Sequence, residues 1–254
     1  MKALIFAAGL GTRLKPLTDT MPKALVPLAG KTLLQWQVEK LRDAGITDIF
    51  VNVHHFPDLI IETVRQNEGW GTSVTISDER DQLLDTGGGL RKIINEQFKA
   101  IDEPVLACNV DILSNIDIKA LIARYEATKT SQLVVSDRKT QRYLLFDDAG
   151  KLRGWTNIKT GERKPQNLPS PITNYRQLAF SGMQILSPEV LARLNEMTQE
   201  KFSLIDFYLH LCETNSLTSH ESPLLAYIPS NYRMMDVGKI EQIQKAENFA
   251  KSLS

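Results

Sequence analysis

Apolar residues along the chain alternate between strand-like and helix-like spacing. Residues 2–8 (KALIFAA) form a short continuous apolar run, the pattern of a strand covered on both faces. Residues 33–44 (LLQWQVEKLRDA) place their apolar side chains at helical spacing and stop at Gly45, which suits a left-handed helix end. The alternation continues with a strand over 46–53 (ITDIFVNV), a helix over 58–66 and a strand over 73–79 (SVTISDE). A helix opening on glycines follows over 88–98 (GGLRKIINEQF), then a strand over 103–113 (EPVLACNVDIL) that runs into Asp111. This βαβαβαβ order predicts an α/β fold: a Rossmann-like, mostly parallel sheet flanked by helices, with ligands at the carboxyl ends of its strands.

Past a further helix at 117–129 the pattern changes. SQLVVSD (131–137) and RYLLFDDAGKLRGWT (142–156) read as antiparallel strands with a turn at Asp147–Gly150. Residues 161–175 are polar and carry three of the eleven prolines, the composition of an insertion or lid. A strand (QLAFSGMQIL), helices over 188–197 and 204–212, a strand (LLAYI) and a closing strand, glycine turn and helix complete the chain. No repeat, linker or low-complexity segment interrupts it. The expectation is one domain over 1–254, with a parallel half at 1–130 and an antiparallel half with its C-terminal helix at 131–254.

Composition excludes several classes. The 254 residues carry 30 basic and 30 acidic side chains, so no general electrostatic footprint for nucleic acid is present. No segment approaches the ~20 apolar residues of a membrane span, and the N-terminal apolar run leads straight into a glycine loop rather than a cleavage site. A cytoplasmic protein without membrane or nucleic-acid partners is the reading. The two cysteines, Cys108 and Cys212, stand far apart in apolar contexts and read as buried free thiols. His54-His55 lacks further His or Cys at ligand spacing and reads as packing or pocket rim.

The stretch LIFAAGLGTRLKPLTDTMPKALVPLAGKTLL (4–34) carries the chemistry. Gly30-Lys31-Thr32 is not a P-loop: Leu25 occupies the position of the first P-loop glycine, and Pro27 removes an amide. Gly9-Leu10-Gly11 is not a dinucleotide fingerprint, since Leu14 replaces the third glycine and Pro16 interrupts the helix that should begin there. What remains is G-x-G-T-R after the first strand, followed by Pro22-Lys23. Glycines let backbone amides approach anionic oxygens, while Arg13 offers a fork and Lys23 a point charge. Together they indicate a polyphosphate.

This stretch resembles the signature of the sugar-1-phosphate nucleotidyltransferases, and the similarity continues through LLDTGGGL, CNVDIL, LAFSGMQILSP and MMDVGKIEQIQKAE. The resemblance implies a GT-A-like nucleotide-diphospho-sugar transferase fold with a small antiparallel elaboration on the sugar side. It also implies transfer of a nucleotidyl group from a nucleoside triphosphate to a sugar 1-phosphate, with Mg²⁺ as cofactor. By the family's motifs, Arg13 and Lys23 are catalytic, and Asp111 and Asp236 hold the metal. Ala8, Gly9, Gly11, Thr12, Glu79, Thr86, Gly87 and Gly88 bind the nucleotide, with Glu79 facing either the base or solvent. Asn109, Ser181 and Gly182 approach the sugar. Many larger relatives carry a Glu-Lys-Pro motif; the nearest text here, Glu162-Arg163-Lys164-Pro165, sits within the polar insertion, so the cation for the sugar phosphate stays open. The compact length, LDTGGG and LAFSG are most similar to N-acetylmuramate 1-phosphate uridylyltransferases of cell-wall recycling. Mannose or heptose 1-phosphate guanylyltransferases, phosphocholine cytidylyltransferases and an inactive nucleotide-binding regulator are the alternatives.

Overall fold

The computed structural model describes residues 1–253 apart from 167, 169–170 and 217–221. Its first half consists of β1 (Lys2–Phe6), the hairpin β2 (Pro27–Leu28) and β3 (Lys31–Thr32), α1 (Leu33–Asp43), β4 (Asp48–Val53), α2 (Pro57–Gln66), β5 (Ser73–Asp78), α3 (Asp85–Gln97) and β6 (Val105–Asn109). Then come β7 (Ile112–Ser114), α4 (Ile118–Thr128), β8 (Ser131–Ser136), β9 (Arg142–Phe146), β10 (Leu152–Asn157) and β11 (Arg163–Lys164). The chain closes with β12 (Arg176–Leu186), α5 (Pro188–Asn195), α6 (Leu204–Ser216), β13 (Leu224–Tyr227), β14 (Met234–Asp236) and α7 (Ile243–Lys251).

Local chemistry sets the helix ends. Thr32 caps α1 by accepting from the Gln35 amide at 3.1 Å, and Asp117 caps α4 from Ala120 at 3.0 Å. Gly45, at φ +92°, ends α1 as its position suggested. Ala29-Gly30, both at positive φ, is the tight turn between β2 and β3, and Lys31-Thr32 is β3 itself, leading into α1.

Strands β5, β4, β1 and β6 lie side by side and parallel. The chain runs outward from β1 through β4 to β5, then returns through α3 to the far side of β1. The sheet therefore changes direction between β1 and β6, where the loops leaving both strands diverge and open a crevice. Antiparallel strands continue the same sheet. β12 pairs with β6, β8 and β9, and the β9–β10–β11 hairpin extends its far edge. SQLVVSD does not pair with the strand that follows it; β8 lies antiparallel to β12 and parallel to β13. Within the expected 161–175 insertion, Arg163–Lys164 is a sheet strand and Ile172–Asn174 a single helical turn, while 167 and 169–170 lie outside the described residues.

Side-chain alternation along β1 divides the core. Ala3, Ile5 and Ala7 join Leu34, Val38 and Leu41 of α1, with α2, α4 and α7, on one face. Leu4 and Phe6 join Leu90 and Ile93 of α3, with α5 and α6, on the other. Both thiols are buried and free, and burial pushes each up to about 12. Among the described residues no helix is long and apolar enough to cross a membrane.

Candidate active site

The crevice between β1 and β6 holds a cavity of about 450 Å³. From the loop after β1 it is lined by Ala8, Gly9, Gly11, Thr12 and Arg13, and from β6 and its exit by Asn109 and Asp111. Lys23 and Thr86 complete the set of expected residues that meet there. The loop owes its shape to Gly11, whose φ is +64° and whose added Cβ would lie 2.8 Å from Thr18 Cγ2. Thr18 Oγ1 donates to Gly11 O at 2.9 Å and holds the turn closed. The base of the loop is pinned by Asn52, whose Oδ1 accepts from the Ala7 amide at 2.8 Å.

Lys23 is only 8% exposed, and its ammonium pairs with the Asp111 carboxylate. Asp111 continues into β7, whose partner β14 sets Asp236 opposite Ile112, and the Val237 amide donates to Asp111 O at 2.9 Å. The two carboxylates are thus brought together by a two-stranded ribbon from residues 125 positions apart. Partial burial and the neighbouring Asp111 charge hold the Asp236 carboxyl above its ordinary range, against the opposing pull of Lys23 and Arg13. Two mutually repelling carboxylates suit a small divalent ion that takes few protein ligands and keeps its waters. Among the described residues no cluster of three or more His, Cys, Asp or Glu offers an all-protein cage.

A second cavity of about 850 Å³ adjoins the first, and Arg13 lines both. Its other walls include Asp236, Phe180 and the β9–β10–β11 hairpin. Gly238 leaves room for both Arg13 and Asp236: an added Cβ would be 2.7 Å from Asp236 Oδ1 and 3.0 Å from Arg13 Nη2.

Five expected residues take other places. Glu79 turns inward and lines neither cavity. It is 2% exposed and accepts from Asn52 Nδ2 at 2.8 Å and from the Leu84 amide at 3.1 Å. Burial raises its carboxyl above the usual range, an effect those two donors oppose. Gly87 and Gly88 lie inside α3, and their amides donate to Phe202 O at 2.9 and 3.2 Å. A Cβ on Gly87 would meet the Phe202 ring at 2.4 Å, and one on Gly88 would meet Glu200 O at 2.3 Å. These glycines admit the 200–202 segment rather than line the cavity. Ser181, 1% exposed, and Gly182 sit at a bulge of β12 behind the first cavity. Gly182, at φ +70°, makes room for Asn109, whose Nδ2 would lie 2.9 Å from an added Cβ. His54 and His55 contact the backbone oxygens of Glu79 and Thr18, a rim and packing role.

Sequence reasoning passed over Asn52, Arg138 and Arg142. A lone amide inside the apolar run IFVNV was a signal for the first, because a buried polar side chain needs a partner. Lys164, which the sequence leaves open because it sits in the polar insertion, belongs to β11, pairs with Trp155 and lines the second cavity.

A glycine loop, paired carboxylates and fixed cations at the switch point of such a sheet define a nucleotidyltransferase. The nucleotidyl transferase family model matches residues 2–252, and the chain belongs to that family. It is an enzyme of the sugar-1-phosphate nucleotidyltransferase class that the motifs resemble. N-acetylmuramate alpha-1-phosphate uridylyltransferase of Caulobacter vibrioides is 32% identical over 201 residues, covering 75% of this chain and 76% of the relative. Mannose-1-phosphate guanyltransferase of Candida albicans is 35% identical over 197 residues, covering 75% of this chain and 51% of that enzyme. A putative glucose-1-phosphate thymidylyltransferase from Bacillus anthracis shares the fold at TM-score 0.79 and 17% identity, over 100% of this chain and 96% of its own. HddC from Yersinia pseudotuberculosis, complexed with GMP-PN, does so at 0.71 and 22%, over 98% and 99%.

Proposed function

We propose that the enzyme transfers uridylyl from UTP to N-acetylmuramate 1-phosphate, releasing pyrophosphate. The observation that carries this reading is the pair of cavities joined at Arg13, with Asp111, Asp236 and Lys23 at their junction. The first cavity takes the nucleotide, with Ala8, Gly9, Gly11 and Thr12 around its phosphates and Thr86 across from them. The second takes the sugar, with Asn109 at the boundary.

An oxygen of the sugar phosphate attacks the α-phosphorus, the bond to the β-phosphate oxygen breaks, and pyrophosphate leaves with that electron pair. A phosphate dianion is already nucleophilic at neutral pH, so no general base is needed, and catalysis reduces to positioning and charge stabilisation. Mg²⁺ held by Asp111 and Asp236 would neutralise charge on the reacting phosphates. Arg13 grips the leaving pyrophosphate. Lys23, its pair with Asp111 relaxed, meets the α-phosphate, and Lys164 is placed to meet the sugar phosphate. Glu79, Gly87, Gly88, Ser181 and Gly182 shape the site from behind rather than touch substrate.

The choice of UTP and N-acetylmuramate rests on the motif resemblance and on the named activity of the Caulobacter relative. GTP with mannose 1-phosphate is the second reading, favoured by the guanyltransferase relatives. Pyrophosphate release with Mg²⁺, crossing five nucleoside triphosphates with N-acetylmuramate, N-acetylglucosamine, mannose, heptose and glucose 1-phosphates, tests it. Release confined to UTP and N-acetylmuramate 1-phosphate is expected; a preference for GTP and mannose or heptose overturns the substrate assignment.

A further inference from the structure

The second cavity holds more positive charge than one sugar phosphate requires. Along β9, Arg142 and Leu144 point to the same face, since strand side chains alternate. Leu144 stands opposite Trp155 on β10, and Trp155 opposite Lys164 on β11. The register therefore builds one wall: an apolar shelf of Leu144 and Trp155, with Arg142 at one end and Lys164 at the other. Arg138, two residues beyond β8, enters from the side, where its Nη2 donates to Phe180 O at 2.9 Å.

Of the carboxylates around this cavity, Glu162 lies 3.8 Å from Lys164, Asp206 accepts from Ser203 Oγ at 2.7 Å, and Asp236 belongs to the metal pair proposed above. In the reaction proposed above, Lys23 and Lys164 already serve the two phosphate groups that meet, and Arg13 the leaving pyrophosphate. Neither Arg138 nor Arg142 forms an ion pair with a carboxylate among the described residues, although the charge of Arg138 reaches Asp236, and no step of the proposed transfer uses Arg142.

We propose that Arg142, assisted by Arg138, forms an anion subsite that reads a carboxylate carried by the acceptor sugar. The shelf of Leu144 and Trp155 receives the apolar part of that substituent. The subsite rests on the reaction proposed above and gives it a reason for its sugar: an acidic sugar 1-phosphate is selected over its neutral counterpart. The guanidinium fork matches a carboxylate bidentately, whereas a neutral sugar leaves both arginines to water.

The test compares N-acetylmuramate 1-phosphate with N-acetylglucosamine 1-phosphate, which differ only by the lactyl carboxylate arm. kcat/KM with UTP and Mg²⁺ is measured for the wild type, Arg142→Gln and Arg142→Lys. The wild type should favour the acidic sugar by about ten- to a hundredfold, the worth of one charge-assisted contact. Arg142→Gln should remove most of that ratio through KM rather than kcat, and Arg142→Lys should restore part of it. Calorimetric affinities for the same two sugar phosphates read the subsite independently of turnover and of the nucleotide used. A ratio near one in the wild type, or a ratio unmoved by Arg142→Gln in either measurement, overturns the subsite. Turnover of neutral sugar phosphates alone does so too while leaving nucleotidyl transfer intact. Absence of turnover with every nucleotide and sugar, beside an intact Arg142-dependent affinity difference, strikes the reaction and spares the subsite.

Discussion

Alanine at position 87 separates two uses of the glycines that open α3. If they exist to let a nucleotide approach, Gly87→Ala should raise KM for the triphosphate and leave stability alone. The structure requires the opposite. The new Cβ would lie 2.4 Å from two carbons of the Phe202 ring and 2.9 Å from Phe202 O, and Phe202 is 7% exposed within the core. Overpacking of this kind costs about 1–3 kcal/mol. Weakening the Gly87 amide bond to Phe202 O adds about 1 kcal/mol, and better helix propensity returns about the same. The net loss is about 1–3 kcal/mol, or a Tm lower by about 2–12 °C for a chain of this size. Phe202→Ala removes the ring that the new methyl strikes, so the double variant should be less destabilised than the two single variants summed, by roughly 1 kcal/mol. Thermal denaturation of the four proteins, with KM for the nucleotide on each, decides the matter. A several-fold rise in KM with Tm unchanged would refute the packing argument.

Asp111→Asn should lower kcat/KM more than tenfold at saturating Mg²⁺; a smaller drop in a pyrophosphate-release assay removes Asp111 from the proposed metal pair. Arg13→Ala, losing a contact of about 1.5–3 kcal/mol, should lower the rate about ten- to a hundredfold or more, and an unchanged rate would make Arg13 a solvated loop residue. Glu79→Gln keeps one acceptor where the carboxylate supplied two, so either Asn52 or the Leu84 amide loses its partner; urea titration at pH 7 should show a loss of about 1–3 kcal/mol, and none would refute the bracing role. Lys40 donates to Ser114 and is lowered by burial to about 8, so between there and 10.5 the unfolded chain binds more protons than the folded one. Stability of the wild type relative to Lys40→Met should therefore rise with pH across that window, by up to about 3 kcal/mol, and a flat or falling difference contradicts the assignment.

Local patterns made the parallel half of the fold legible. Apolar runs of strand length alternated with helical spacing, and Gly45 marked the end of α1 with chemistry that depends only on near neighbours. The antiparallel half was less legible, because pairing is a choice among distant strands of similar composition. β8 has the same apolar character whether its partner is β9 or β12, and only the assembled sheet selects β12.

The candidate site divides along the same line. The sequence by itself determined the loop chemistry: Gly11 where the backbone turns left-handed, Arg13 and Lys23 within eleven positions, and an aspartate at the exit of an apolar strand. Tertiary structure decided which of these side chains meet and which way each faces. It drew Asp236 beside Asp111 through the β7–β14 ribbon, turned Glu79 inward onto Asn52, and spent the α3 glycines on Phe202. It also aligned Arg142, Trp155 and Lys164 on one wall by strand register. Backbone conformation and charge are properties of a residue and its neighbours, so they can be read along the chain. Direction and partnership depend on packing between segments far apart in sequence, and they exist only once the chain has folded.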